Sequence, residues 1–314
     1  NMSTKHAGVG LARKILMDEA VHRFNQINNT DGIIISCDAD CKPEKNFFTA
    51  IEEHYAIHPK TAGCNIRFEH DLSEKSFGSE VITAITDYEL HMRYYLQSLR
   101  ATKHPNVFHT LGSSFSVKAK AYCQQGGMNK RQAGEDFYFL QKLFDLGNFS
   151  ECKETTIQAS PRPSSRVPFG TGPVIQSYIE TKQSVLTYNP TLFEIIHRFI
   201  SSIHLFYAEK DLAKIIDDLH PLMKTFLHQQ KGIDRILEIK SNSGSESAFR
   251  KRFFRWFNMF RMLKFLNSGK SVFQDVPVRE AAIKYLEKNK ISEHLVLKRM
   301  SGIELSKIYR DLEK

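Results

Sequence analysis

Cysteine is scarce in this chain. Five residues (Cys37, Cys41, Cys64, Cys123 and Cys152) make an odd number with no CxxC pair, which points neither to a disulfide scaffold nor to a zinc site. They read as reduced, cytoplasmic thiols. Long apolar runs are also missing. The most apolar stretch, Leu192 to Ala208, carries Glu194, His197, Arg198 and His204, and is too polar to span a bilayer. The first ten residues are polar and read as no secretory signal. No internal repeat is visible. The thirteen histidines show no HxxxH spacing with an acid between. What is present is 41% apolar residues over 314 positions, enough for a sizeable core and too much for a largely disordered chain.

The formal charge is +9. A basic balance favours anionic partners: nucleic acid, an acidic membrane surface or a phosphorylated small molecule. The chain carries no helix-turn-helix, zinc-finger or RNP pattern, so nucleic acid is not expected.

Periodicity divides the chain near residue 173. Before that point helical and strand-like segments alternate, the pattern of an α/β unit. Gly8–Phe24 predicts a helix. Ile33-Ile34-Ile35 follows the Asp31-Gly32 turn signal and predicts a parallel strand buried on both faces. Pro43–His54 predicts a helix with proline at its first position. Ala62–Phe68 and Val107–Val117 read as strands, and Glu80–Leu99 and Gly134–Leu146 as helices. Residues 174–314 are mostly helical: Val174–Tyr188, Thr191–Ala208, Asp211–Gln229, a polar linker at Ser241–Ser247, a basic aromatic helix over Ala248–Leu266, and short closing helices. In that basic helix Phe249, Phe253, Trp256, Phe260 and Leu263 share one stripe, with Arg and Lys around it. Such a stripe packs into a core or lies on an anionic membrane surface; core packing is the reading taken.

Two acidic motifs carry chemistry. Asp38-Ala39-Asp40 follows the apolar strand, where two carboxylates at i and i+2 on extended backbone would share one face. Hard oxygen ligands of this kind suit Mg²⁺ or Mn²⁺ bridged to a diphosphate. Gly134-Glu135-Asp136 opens a helix behind the flexible Gly126-Gly127 pair. Acids there cap the helix or present a general base. Between 160 and 173 a Pro/Gly/Ser-rich loop with Arg166 reads as a surface loop or as a lid holding a diphosphate.

Five pieces, Gly8-Val9-Gly10-Leu11-Ala12-Arg13-Lys14, the Asp38-Ala39-Asp40 strand end, Gly112-Ser113-Ser114, Gly126-Gly127 and Gly134-Glu135-Asp136, together resemble the inverting family-two glycosyltransferases of the GT-A fold. The likeness covers roughly residues 8–147. It implies a Rossmann-like catalytic domain over 1–173 and a helical region over 174–314. It implies transfer of a sugar from a nucleotide-diphosphate donor, UDP before others, to an acceptor hydroxyl of a glycan or lipid-linked sugar. In this resemblance Asp40, with Asp38, holds the Mg²⁺ or Mn²⁺ and the donor; Arg166, if its loop is a lid, would add a contact to the diphosphate. Asp136 is the base and Glu135 positions the acceptor or the helix, while Gly112, Ser113, Gly126 and Gly127 line the acceptor side. The alternatives are a non-catalytic glycan- or partner-binding protein on a degenerate transferase fold and, behind it, a nucleic-acid-binding module suggested by the +9 charge and the Arg-rich aromatic helix. The implied location is cytoplasmic, with peripheral contact at the inner face of the membrane allowed. Two departures stand out. No counterpart of the family's opening strands precedes Gly8, so those strands are expected to be missing and the nucleotide base to be held weakly. The Gln-x-x-Arg-Trp motif of processive members is replaced by Arg252-Phe253-Phe254-Arg255-Trp256.

Overall fold

The computed structural model describes residues 8–73, 77–164, 170–209, 212–291 and 294–314. The chain forms two compact units. The first comprises 1–89, 108–183 and 312–314, and the second 90–107 and 184–311. The division read at residue 173 therefore differs from the spatial one: residues 174–183 stay with the first unit and 90–107 belong to the second.

In chain order the first unit contains α1 (Val9–Gln26), β1 (Ile33–Ser36), β2 (Lys42–Pro43), α2 (Phe47–Ile57), β3 (Gly63–His70) and the opening of α3 (Ser79–Ala101). It continues with β4 (Phe115–Lys118), α4 (Ala119–Gln124), α5 (Glu135–Leu146), β5 (Ser150–Ala159) and α6 (Thr171–Thr181). Five strands form one sheet in the order β1-β4-β3-β5-β2. Only β3 and β5 pair in parallel; β1–β4, β3–β4 and β2–β5 are antiparallel. The unit is thus α/β with a mixed sheet.

Alternation along β1 explains the packing. Ile34 enters a core with Met17 of α1, Phe115 and Val117 of β4, and Phe139, Leu140 and Leu143 of α5. Its neighbours Ile33 and Ile35 face the opposite way, onto Phe47, Ile51 and Tyr55 of α2 with Cys64, Ile66, Cys152 and Ile157. Helices therefore cover both faces of the sheet, which is why the three isoleucines run consecutively. A fully buried Ile or Phe side chain contributes about 1.5–3 kcal/mol.

Several expectations are corrected. The Ile33–Ile35 strand pairs antiparallel with β4 at the sheet's edge; an apolar run reports burial on two faces and says nothing of direction. Pro43 does not open a helix: it lies in β2, opposite Ile157, and α2 begins at Phe47. Of the Val107–Val117 segment only Phe115–Lys118 is strand, and Gly112-Ser113-Ser114 forms a turn in which the Ser114 N–H donates to Leu111 O at 3.1 Å.

The second unit holds the rest of α3, then β6 (Leu186–Thr187), α7 (Pro190–Ala208), α8 (Ala213–Asp217), α9 (Pro221–Gln229), α10 (Gly232–Ser241), α11 (Glu246–Trp256) and α12 (Met259–Gly269). It closes with β7 (Val276–Pro277), α13 (Val278–Lys288), α14 (His294–Leu297) and α15 (Gly302–Asp311). Three expected helices are shorter or divided. α6 ends at Thr181 rather than continuing to Tyr188. The Asp211–Gln229 helix breaks before Pro221, which takes the first turn of α9 behind a His220 cap. The Ala248–Leu266 helix breaks at Phe257, and the Asn258 side chain caps α12 by accepting from the Arg261 N–H at 3.3 Å. The aromatic stripe is core at Phe249, Phe253 and Trp256, whereas Phe260 and Leu263 are half-buried. Phe253 and Phe257 stack beside Phe199 of α7, with ring centroids 5.8 and 5.1 Å away. Among the described residues no helix is long and apolar enough to cross a membrane.

Candidate functional site

The two acidic motifs meet through an arginine. Arg13, on the second turn of α1, donates from Nη2 to Oδ1 of Asp38 at 2.7 Å and from Nη1 to Oε1 of Glu135. Its side chain is 12% exposed, that of Glu135 2% and that of Asp38 44%. One guanidinium thus bridges the loop after β1 to the start of α5, a pairing well suited to its fork of donors. Burial works against the Arg13 charge, but Asp38 and Glu135 outweigh it and hold the group more firmly protonated than usual.

Gly112 ties the same elements together by its backbone. Its N–H donates to Oδ2 of Asp136 at 2.8 Å, and its carbonyl accepts from Ser36 Oγ at 2.6 Å. A Cβ at this position would lie 2.0 Å from Arg13 Nη1, so a larger residue would push the guanidinium from its present place. Gly134 precedes α5 at φ +69, the left-handed region that glycine adopts without strain, and this conformation turns the chain so that Glu135 and Asp136 open the helix.

Asp136 accepts from its neighbour Phe137 N–H at 2.7 Å as well as from Gly112. Burial pushes its carboxyl above the usual aspartate range, against the pull of these N–H groups and of Arg13. Burial, then the adjacent Asp136, likewise push Glu135 up, with Arg13 opposing. Tyr88 of α3 belongs to the same neighbourhood: burial and the Asp136 charge push its phenol up to about 12. Three carboxylates around one guanidinium leave an excess of negative charge, so the site is suited to a cation or to a proton.

Asp40 stands apart from that bridge. Asp38-Ala39-Asp40 is a turn closed by the Cys41 N–H donating to Asp38 O at 3.0 Å, not the extended segment expected. The two carboxylates accordingly take different partners: Asp40 Oδ2 accepts from Arg162 Nη2 at 2.9 Å, with both groups about half exposed. As donors for Mg²⁺ or Mn²⁺, Asp38 and Asp40 supply hard, accessible oxygens, and the chemistry fits. Two carboxylates leave most of an octahedral shell to water or phosphate oxygens, the usual way of holding Mg²⁺. Among the described residues one three-donor set of His, Cys and acid side chains exists elsewhere, His54, Cys152 and Glu154. Burial pushes the Cys152 thiol up to about 12, so it is a poor ligand at neutral pH.

The remaining expected residues fall as follows. Ser113 lies close to the Cys41 thiol and so adjoins the Asp38–Cys41 turn. Gly126 and Gly127, both at φ +71, end α4: their N–H groups donate to Cys123 O at 2.9 Å and Tyr122 O at 3.0 Å. Helix termination accounts for their conformation. Arg166 lies outside the described residues. Arg252 and Trp256 belong to α11 in the second unit. Arg13 is the residue that sequence reasoning did not assign to the site, although it stands in the Gly8–Lys14 segment. Its two partners lie 25 and 122 positions away, beyond any local spacing rule.

Comparison of the chain with known protein families, curated proteins and solved structures returns no match.

Proposed function

We propose that the first unit is the catalytic part of an inverting, metal-dependent glycosyltransferase of GT-A type. It would move a sugar from a nucleotide-diphosphate donor, UDP before others, to an acceptor hydroxyl of a glycan or lipid-linked sugar. The observation that carries this reading is the meeting of Asp38, Glu135 and Asp136 around Arg13. Carboxylates from two separate elements are what an in-line displacement requires, one set at the diphosphate and one at the acceptor.

In this reading Asp38 and Asp40 would hold Mg²⁺ or Mn²⁺, which would supply positive charge to offset that of a diphosphate leaving group. Asp136 accepts the proton of the acceptor hydroxyl as its oxygen bonds the anomeric carbon. The bond from that carbon to the diphosphate breaks, and the diphosphate leaves with the electron pair. The N–H groups of Gly112 and Phe137 hold the Asp136 carboxylate in place. Burial raises its proton affinity, which strengthens it as a base. Glu135 is a positioning residue: it anchors Arg13, and through it Asp38. Catalysis would take place at the inner face of the membrane if the acceptor is lipid-linked.

Release of nucleoside diphosphate from a panel of nucleotide sugars, with Mn²⁺ or with EDTA, tests the proposal. Metal-dependent, acceptor-stimulated release supports it, and its absence across the panel contradicts it. A second reading, a non-catalytic glycan-binding protein, draws on the fact that both Asp136 oxygens already accept backbone N–H groups. It predicts glycan binding without release.

A further inference from the structure

The second unit contains a cavity of about 700 Å³ walled by α10, α11 and the start of α12. Its charged lining is unbalanced. Lys231, Arg235, Arg252, Arg255 and Arg261 face it, against Asp234 and Glu238 alone. Glu238 is already taken by Arg235 at 2.5 Å. Among the described residues Arg252, Arg255 and Arg261 form no ion pair.

Arg261 shows how the cavity is built. Its Nη1 donates to Trp256 O at 2.6 Å, and its guanidinium lies 5.0 Å from the centroid of the Trp256 ring. Its Nε is buried and has no hydrogen-bond partner among the described residues. Burial and the like charge of Arg235 weaken its hold on its proton. A half-buried cation with an orphaned donor, no carboxylate and a like-charged neighbour costs free energy unless an anion completes it. Trp256 and the Asn258 cap of α12 fix the group, so the fork is organised before any ligand arrives.

We propose that this cavity binds a phosphate-bearing ligand, with the half-buried Arg261 as the anchor and Arg252 and Arg255 closing on the same anion from α11. Guanidinium forks match phosphate oxygens in pairs, and a single monoanion would leave most of the positive charge unmet. The volume admits a group larger than phosphate itself, so a phosphomonoester or diphosphate carried on a larger molecule fits better than the free ion. The source is a soluble phosphorylated metabolite or a phospholipid headgroup, which present the same chemistry. This site lies wholly within the second unit and does not rest on the activity proposed above.

The test uses the full chain with EDTA present, so that the metal-dependent donor site cannot contribute. Pyrophosphate is titrated by calorimetry, and co-sedimentation is measured with phosphatidylcholine vesicles with and without phosphatidic acid. The expected result is saturable binding of at least one probe, unchanged in Asp40→Ala and weakened about tenfold or more in Arg252→Ala/Arg255→Ala. Pyrophosphate binding assigns the ligand to the soluble class; binding only to phosphatidic-acid vesicles assigns it to a headgroup. Both arginines are exposed, so the double variant should keep the wild-type melting temperature without ligand; Lys231→Ala/Arg252→Ala repeats the test if it does not. Absence of binding to either probe, or binding that both double variants retain in full, overturns the proposal.

Discussion

Arg13 and Asp38 are joined by a 2.7 Å ion pair between α1 and the loop after β1, and the other arm of the same guanidinium reaches Glu135 on α5. The pair turns two distant acidic motifs into one site. Truncating Arg13 leaves Glu135 buried without a counter-charge. Arg13→Met should therefore cost about 3–5 kcal/mol of stability, whereas Asp38→Asn, at the exposed end, should cost about 1 kcal/mol or less. Urea denaturation of the two variants measures the difference.

Gly112 sets the spacing within this site. Gly112→Ala places a methyl group against Arg13 Nη1 and should displace the guanidinium. The expected cost is about 1–3 kcal/mol, with a larger loss of turnover than of donor affinity. Full activity in the alanine variant would show that the contact relaxes at no cost.

A pH dependence arises in the second unit. His104 is buried; its Nδ1 accepts from the Asn106 N–H at 3.1 Å and its Nε2 donates to Phe257 O at 2.9 Å. That pattern satisfies the neutral ring, and burial depresses its pKa to about 4. The unfolded chain, with an ordinary histidine near 6.5, binds the proton more readily in this window. Stability should accordingly be full above pH 6.5 and fall as pH drops toward 4, by on the order of 3 kcal/mol in total. Denaturation of wild type and His104→Gln across this range checks it: the variant should lose that slope.

The donor side is tested through Asp40. Asp40→Ala should abolish the Mn²⁺-dependent part of UDP binding, because no other accessible carboxylate stands beside Asp38 in its turn. Arg162→Ala, which frees Asp40 from its ion pair, should leave Mn²⁺ affinity unchanged or raise it. Calorimetry with UDP and Mn²⁺ reads both, and an unchanged affinity in Asp40→Ala assigns the metal elsewhere.

Helices α1, α3 and α5 and the burial of β1 were legible in sequence because apolar periodicity reports burial directly, whereas the short α4 was not expected. Strand direction was not, since the Ile33–Ile35 run suits a parallel or an antiparallel neighbour equally. Breaks within the helical region were missed where apolar periodicity continues across them. Pro221 and Asn258 are the start signals that could have revealed them, as a first-turn proline and a capping side chain. Within the candidate site, Glu135 and Asp136 were readable from Gly134 and the helix that follows. Arg13 was not, because its role depends on contacts made only after the sheet and helices have assembled.

The most direct measurement is steady-state turnover of a nucleotide sugar by wild type and Asp136→Asn across pH. If Asp136 is the base, Asp136→Asn should lose about 10²–10⁴ in kcat while KM for the donor changes little. Wild-type turnover should fall as pH drops through a pKa above the usual aspartate value, since burial raises it and only the ionised carboxylate accepts a proton. An Asp136→Asn variant that folds and turns over near the wild-type rate would contradict the account.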